Sequence, residues 1–174
     1  MYFDASQISL VAGAFDQAEK VVARHYRLSG DQLKRLRYDV KTLAYLAEHE
    51  IKENAFAHLC RYHYQAERNA DNEKGFYFYR ICLQDDRILD AVTRTAAFIK
   101  LPPLLLYIAV HEIVHVIRFA AGDENFEASP EEKGQEEQRV QAITGEMLSA
   151  ITYPDLSIVM DCFSDRHRLD DLLN

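Results

Sequence analysis

The chain has 174 residues, 48% of them hydrophobic and 28% charged, which are ordinary values for one globular domain. Its formal net charge is −8, so we expect neither nucleic acid nor an anionic membrane as a partner. No secretory signal follows Met1, and the longest apolar run, Leu101 to Val110, is too short to span a bilayer. These features predict a cytoplasmic protein whose three cysteines are reduced.

The N-terminal part, residues 1–50, is predicted to be helical. Apolar residues recur at helical spacing from Ile8 to Val22, after a capping box that begins at Asp4 and before a stop at Gly30. A second helix is predicted from Gln32 to Ala47 by the same spacing.

Two aromatic-rich runs in the middle of the chain are predicted to be strands. The second, Phe76 to Leu83, has strong β propensity. The first, within residues 54–64, is compatible with a strand or a helix, and we interpret it as a strand. If the two runs form a hairpin, Cys60 is placed to face Cys82.

The second half of the chain is predicted to be helical. After a helix from Asp86 to Phe98, a long helix from Lys100 to Ala121 is started by two prolines and ended by glycine. A capping box at Ser129 begins the next helix, which extends to about Ile151. The predicted fold is therefore α+β: a single, mostly helical domain (1–174) with a small antiparallel sheet and a helix pair in residues 100–151.

The long helix carries the sequence HEIVH, in which His111, Glu112 and His115 are set among apolar residues. Residues four apart lie on one side of a helix, so the two imidazoles can bind one ion. Glu112 lies about 100° round the helix from His111 and can reach a water molecule on that ion. This H-E-x-x-H spacing is typical of zinc hydrolases, in which the histidines bind zinc and the glutamate is the general base.

A catalytic zinc site requires a third protein ligand. The metzincin class of zinc peptidases is excluded, because Arg118 stands where the extended motif of that class has glycine. A di-iron site in a helical bundle is excluded as well, because it requires a second Glu-x-x-His motif, which the sequence does not contain. The remaining candidates are glutamates of the following helix. A rise of about 1.5 Å per residue places Glu136 and Glu137 level with the motif, whereas Glu131 and Glu132 lie at the far end. The spacing of apolar residues along this helix does not decide whether Glu136 or Glu137 is the third ligand.

HEIVH followed by the helix EEQRVQAITGEML resembles the gluzincin branch of zinc metallopeptidases. The second helix is similar to the Glu-x-x-small-Asn/Asp pattern of the ImmA/IrrE-like families. The resemblance implies that Glu137 is the third zinc ligand, with Glu136 as the alternative, and that Gln141 supports a ligand histidine from the position of the family's Asn/Asp. The helix count places Gln141 level with His111. Many such peptidases also bind substrate along an edge strand, for which Phe76–Leu83 is the candidate.

Three functions remain open from the sequence. The first is a zinc-dependent metallopeptidase that acts on a peptide or protein substrate with Glu112 as its base. The second is a catalytically silent zinc-binding regulatory or structural protein on the same scaffold, which has the same ligands. The third is a metal-free helical protein with both histidines in its core. An oxyanion stabiliser for the first function is left open, with Tyr153 and His167 as downstream candidates.

Overall fold

The computed structural model describes residues 1–65, 75–95 and 98–164. Its helices and strands share one hydrophobic core, which confirms the predicted α+β class with mostly helical content. Within the described residues the elements are α1 (Ala5–Tyr26), α2 (Gly30–Lys34), β1 (Tyr38–Lys41), β2 (Ala57–Tyr64), β3 (Phe76–Leu83), α3 (Asp85–Arg94), α4 (Leu101–Ala121), α5 (Pro130–Ser149) and α6 (Leu156–Ser164).

α1 begins at the predicted capping box. The Asp4 carboxylate accepts a hydrogen bond from the Gln7 amide, and the Gln7 side chain accepts one from the Asp4 amide. The helix ends before the predicted stop at Gly30, because Arg27 adopts the left-handed conformation (φ 53°) and its amide caps the last carbonyls. The buried stripe of α1, which packs against α4, consists of Val11, Ala14, Phe15, Ala18 and Val22.

The predicted helix Gln32–Ala47 is wrong beyond its first turn. α2 is short, and the chain then enters β1, which pairs in parallel with β3. Two hydrogen bonds of 2.9 Å from the Arg80 guanidinium to the Asp39 carboxylate strengthen this pairing. Helical periodicity is a weak preference, and the long-range strand pairing outweighs it. Residues 1–50 are therefore only partly helical.

The sheet is mixed rather than entirely antiparallel, because β1 joins the predicted β2–β3 hairpin in the parallel direction. The strand order is β1-β3-β2, so β3 is the central strand. The register places Cys60 opposite Arg80 and Cys82 opposite His58. The two cysteines are therefore diagonal neighbours rather than directly opposite, and both are free thiols.

α4 is the central helix of the core. Its two prolines lie in the first turn, and Gly122 caps its end in the left-handed conformation (φ 79°), as predicted. α1, the sheet, α5 and α6 all pack against it. By length and composition α4 is apolar enough to cross a membrane, but 72% of its most apolar window is buried inside the fold, as in the core helix of a globular domain.

α5 begins at the predicted Ser129 capping box, in which the Ser129 hydroxyl accepts from the Glu132 amide and the Glu132 carboxylate accepts from the Ser129 amide. The loop before it is short, so α5 packs back against α4. Val140 and Thr144 are buried in that contact region. This packing brings the middle of α5 to the level of the HEIVH motif.

Candidate metal centre

His111 and His115 lie one turn apart on α4, and both side chains are mostly buried, with 12% of each exposed. Their ring centroids are 4.9 Å apart. The Nε2 atoms of both rings converge on a single carboxylate, that of Glu137, at 2.9 Å for His111 and 3.1 Å for His115. The helical spacing predicted that the two imidazoles lie on one side of the helix, and in the structure they do.

Glu137 and Glu136 point to different partners, although they are neighbours on α5. Glu137 contacts the two histidines, and the three side chains offer ligand atoms that all lie within 4.8 Å of one another. Glu136 is buried against α4. Its carboxylate binds Arg118 of α4 and, at 2.7 Å, Arg139 of its own helix. A step of one residue turns a helix by about 100°, which is enough to separate the carboxylate that faces the two histidines from the one paired with arginine.

Glu124 is a site residue that sequence reasoning missed. Its carboxylate, 9% exposed, lies 3.0 Å from Nδ1 of His115, on the other side of the ring from Glu137. Carboxylates in this position orient the ring of a metal-binding histidine. The signal available in the sequence is Gly122, because the left-handed turn there directs the next residues back over α4, where the Glu124 amide bonds the Arg118 carbonyl.

We expect Glu124→Gln to weaken metal binding by about 10- to 100-fold, because an amide holds the ring of His115 less firmly than a carboxylate does. Glu127, in the same loop and exposed, provides the matched control as Glu127→Gln, which should bind metal as the unaltered chain does. Competition with a chromophoric chelator measures both affinities. Equal affinity in the two variants would remove Glu124 from the site.

Glu112 lies buried beside the histidines and lines the same cavity. Burial raises the pKa of its carboxyl group, while the nearby His111 and His115 act in the opposite direction. The structure therefore places a buried carboxyl group next to the two histidines, at the position predicted for the base.

Gln141 lines the cavity but does not hydrogen-bond His111, contrary to the implied supporting role. Its side chain amide donates to the carbonyl of Phe163 and also hydrogen-bonds Tyr107. Nδ1 of His111 is buried with no hydrogen-bond partner among the described residues. The Gln141 side chain is thus occupied by Phe163 of α6 and by Tyr107, which precedes His111 by one turn of α4.

Of the two oxyanion candidates, one falls within the part of the chain that the structure describes. Tyr153 packs against the hydrophobic core and does not line the cavity. His167 lies outside the described residues.

His111, His115 and Glu137 open into a cavity of about 500 Å³. Aromatic rings stand on both sides of the histidines: Tyr107 stacks against His111, and Phe119 stacks against His115. Further walls come from α6 and from the segment before and within β2. The cavity is thus an open pocket with apolar sides and ionisable groups at its base, lined among others by Lys52, Phe56, Ala57, His58, Leu59, Phe126, Lys133 and Phe163.

The strand beside the cavity is β2, whereas the resemblance to peptidases implied Phe76–Leu83 as the edge strand that binds substrate. That segment is β3, which pairs with β2 along its whole length and with β1 over Tyr79–Cys82. β2 has no strand on its other side within the described ranges, and its first residues line the cavity. The edge available to an extended ligand is therefore Ala57–Leu59.

The charges of the three convergent residues fit a divalent metal. Burial alone would lower the pKa of His115, but its hydrogen bonds with Glu124 and Glu137 raise it to about 10. Burial alone would raise the pKa of Glu137, yet the hydrogen bonds from His111 and His115 hold it well below its usual range. The anionic Glu137 thus pairs with His115 in a place where a cation fits, and two imidazoles with one carboxylate are a common donor set for catalytic zinc.

Comparison with protein-family models, curated proteins and solved structures gives no match. The resemblance to gluzincins therefore stays a prediction, which rests on the residues of the HEIVH and EEQRVQ segments. The donor set and the cavity are observations that stand independently of it.

Proposed function

We propose that this protein is a zinc-dependent metallopeptidase whose zinc ligands are His111, His115 and Glu137. The observation that carries the proposal is the convergence of both Nε2 atoms and one carboxylate at the base of an open cavity, with the buried Glu112 alongside. Three protein ligands and an open side are the arrangement of catalytic zinc, whereas structural zinc is usually closed by four.

Zinc bound there would polarise a peptide carbonyl and make water acidic enough to lose a proton near neutral pH. Glu112, buried beside the two histidines, would accept the proton of the attacking water and return it to the leaving amine. Glu124 holds the ring of His115 by Nδ1, so that Nε2 faces the cavity. The chain's own residues thus supply both proton transfer and ligand orientation.

The neighbouring β2 strand supports a peptide as the substrate. An extended peptide can add to the outer edge of β2 at Ala57–Leu59 through main-chain hydrogen bonds, which do not depend on its side chains. The aromatic walls at Phe119 and Tyr107 offer apolar contact to the side chains on either side of the cleaved bond. An open groove with such walls fits a peptide better than a small polar metabolite.

The first test measures zinc content and hydrolysis on the same preparation of the full chain. We expect stoichiometric zinc and cleavage of a mixture-based peptide library, lost with a chelator and restored by added zinc. Zinc without cleavage of any peptide would favour the catalytically silent zinc-binding protein. A chain that neither contains zinc nor takes it up at micromolar concentration would reject both zinc-dependent functions.

A further inference from the structure

A second cluster of metal-ligating side chains lies on the sheet. His58 and Cys60 are two residues apart on β2, so they point to the same face, and the register places Cys82 of β3 directly opposite His58. The two strands therefore bring one imidazole and two thiols together on one face of the sheet. None of these three residues is among the ligand atoms of the His111–His115–Glu137 centre, although His58 also lines its cavity.

The separations in this cluster match those between ligands of one tetrahedral ion. His58, Cys60 and Cys82 each offer a ligand atom, and all three atoms lie within 4.8 Å of one another. Nδ1 of His58 is 3.9 Å from Sγ of Cys60. Zinc–sulfur and zinc–nitrogen bonds of ordinary length place tetrahedral ligand atoms about 3.5 to 3.8 Å apart. Only small side-chain rotations are needed to close the site on an ion.

The ring of His58 is oriented by a backbone carbonyl. Its Nε2 lies 2.9 Å from the carbonyl oxygen of Glu50, which only accepts hydrogen bonds, so Nε2 is the donor. Nδ1 is then the nitrogen that lies toward Sγ of Cys60, and in the neutral ring it carries the lone pair that a metal binds. A hydrogen bond from the second ring nitrogen to a backbone carbonyl is a common way in which proteins orient a ligand histidine.

The surroundings favour a soft cation. Cys82 is buried, while Cys60 and His58 are partly exposed, so the cluster is shielded on the side of β3 and open on the side of β2. Two thiolates balance the charge of a divalent ion, and thiolate ligands with an imidazole select zinc over magnesium or calcium. We infer that His58, Cys60 and Cys82 form a second zinc site, distinct from the centre on α4 and independent of whether the protein is a peptidase. Binding releases the two thiol protons, and the exposed side leaves the fourth position to water.

Cobalt(II) in place of zinc distinguishes the two sites, because only the second has sulfur ligands. Cobalt bound to thiolate absorbs in the near ultraviolet by sulfur-to-metal charge transfer, and cobalt held by nitrogen and oxygen lacks this band. We expect the band in the reduced full chain loaded with cobalt, and we expect zinc added in excess to remove it. His111→Ala should leave the band in place.

Cys60→Ser should abolish the charge-transfer band and lower the zinc content by one ion per chain. Cys162→Ser is the matched control, because Cys162 lies on α6 outside the cluster, and this variant should keep both. Circular dichroism compares the folding of the two variants, and His58→Ala provides a second disruption should Cys60→Ser unfold. The inference is overturned if the loaded chain shows no thiolate band, or if the band survives Cys60→Ser. An intramolecular Cys60–Cys82 disulfide formed in preference to zinc uptake would overturn it as well.

Discussion

Glu137→Ala should lose zinc at the α4 centre with a fall in affinity of more than about 100-fold. The variant removes a direct ligand, and loss of a residue that merely orients a ligand already lowers metal affinity by about 10- to 100-fold. Glu137 is the carboxylate on which both Nε2 atoms converge. Titration against a competing chelator gives the affinity, and hydrolysis should disappear in parallel.

Glu136→Ala is the matched control for this prediction, since the two glutamates are adjacent on one helix. Its carboxylate is occupied by Arg118 and Arg139, so zinc affinity should stay near that of the unaltered chain. The free energy of unfolding should instead fall by about 1–3 kcal/mol, because the mostly buried Arg118 loses a charged partner. The opposite result, zinc loss in Glu136→Ala and retention in Glu137→Ala, would reverse the assignment of the third ligand.

Glu112→Gln should lower kcat/KM for peptide cleavage by about 10²- to 10⁴-fold, the usual contribution of a general base. Glutamine has nearly the same shape but cannot take the proton from water. Zinc affinity should change little, because Glu112 is not among the convergent ligands. The variant should also fold, since replacing a buried carboxylate with a neutral amide removes the cost of burying its charge.

The pair Glu112→Gln and Glu137→Ala separates proton transfer from metal binding. We expect Glu112→Gln to bind zinc but to be inactive, and we expect Glu137→Ala to be inactive because it has lost zinc. Full activity of Glu112→Gln would remove this residue from the base role and would require another proton acceptor at the cavity. If the unaltered chain binds zinc but cleaves no peptide, and the variants cleave none either, the result would favour the catalytically silent zinc-binding protein.

Local signals were sufficient for the helices that carry the centre. α4 begins and ends where its prolines and Gly122 predicted, and α5 begins at the predicted Ser129 capping box, because such residues act on backbone groups within one turn. α5 ends at Ser149 rather than at about Ile151. The i, i+4 spacing of His111 and His115 likewise fixes their common side by helical geometry alone. The sequence therefore determined both helices of the candidate centre and two of the three convergent residues.

Long-range contacts decided the remainder of the site. The Gln32–Ala47 segment has helical periodicity, but pairing with β3 makes part of it a strand, and the same pairing makes β3 central and leaves β2 at the cavity. The choice of Glu137 over Glu136 depends on how α5 is rotated against α4, since each carboxylate has a partner ready on that helix.

The sequence by itself thus determined both ends of α4, the start of α5, the spacing of the two histidines and the α+β class, since these depend on residues within a few turns of one another. Only the tertiary structure decided the third carboxylate, the position of Glu124 behind His115, and the meeting of His58 with two cysteines. Each of those depends on the rotation of a helix, the path of a loop or the register of a strand. Such quantities are fixed by packing across the whole core, which no local segment encodes.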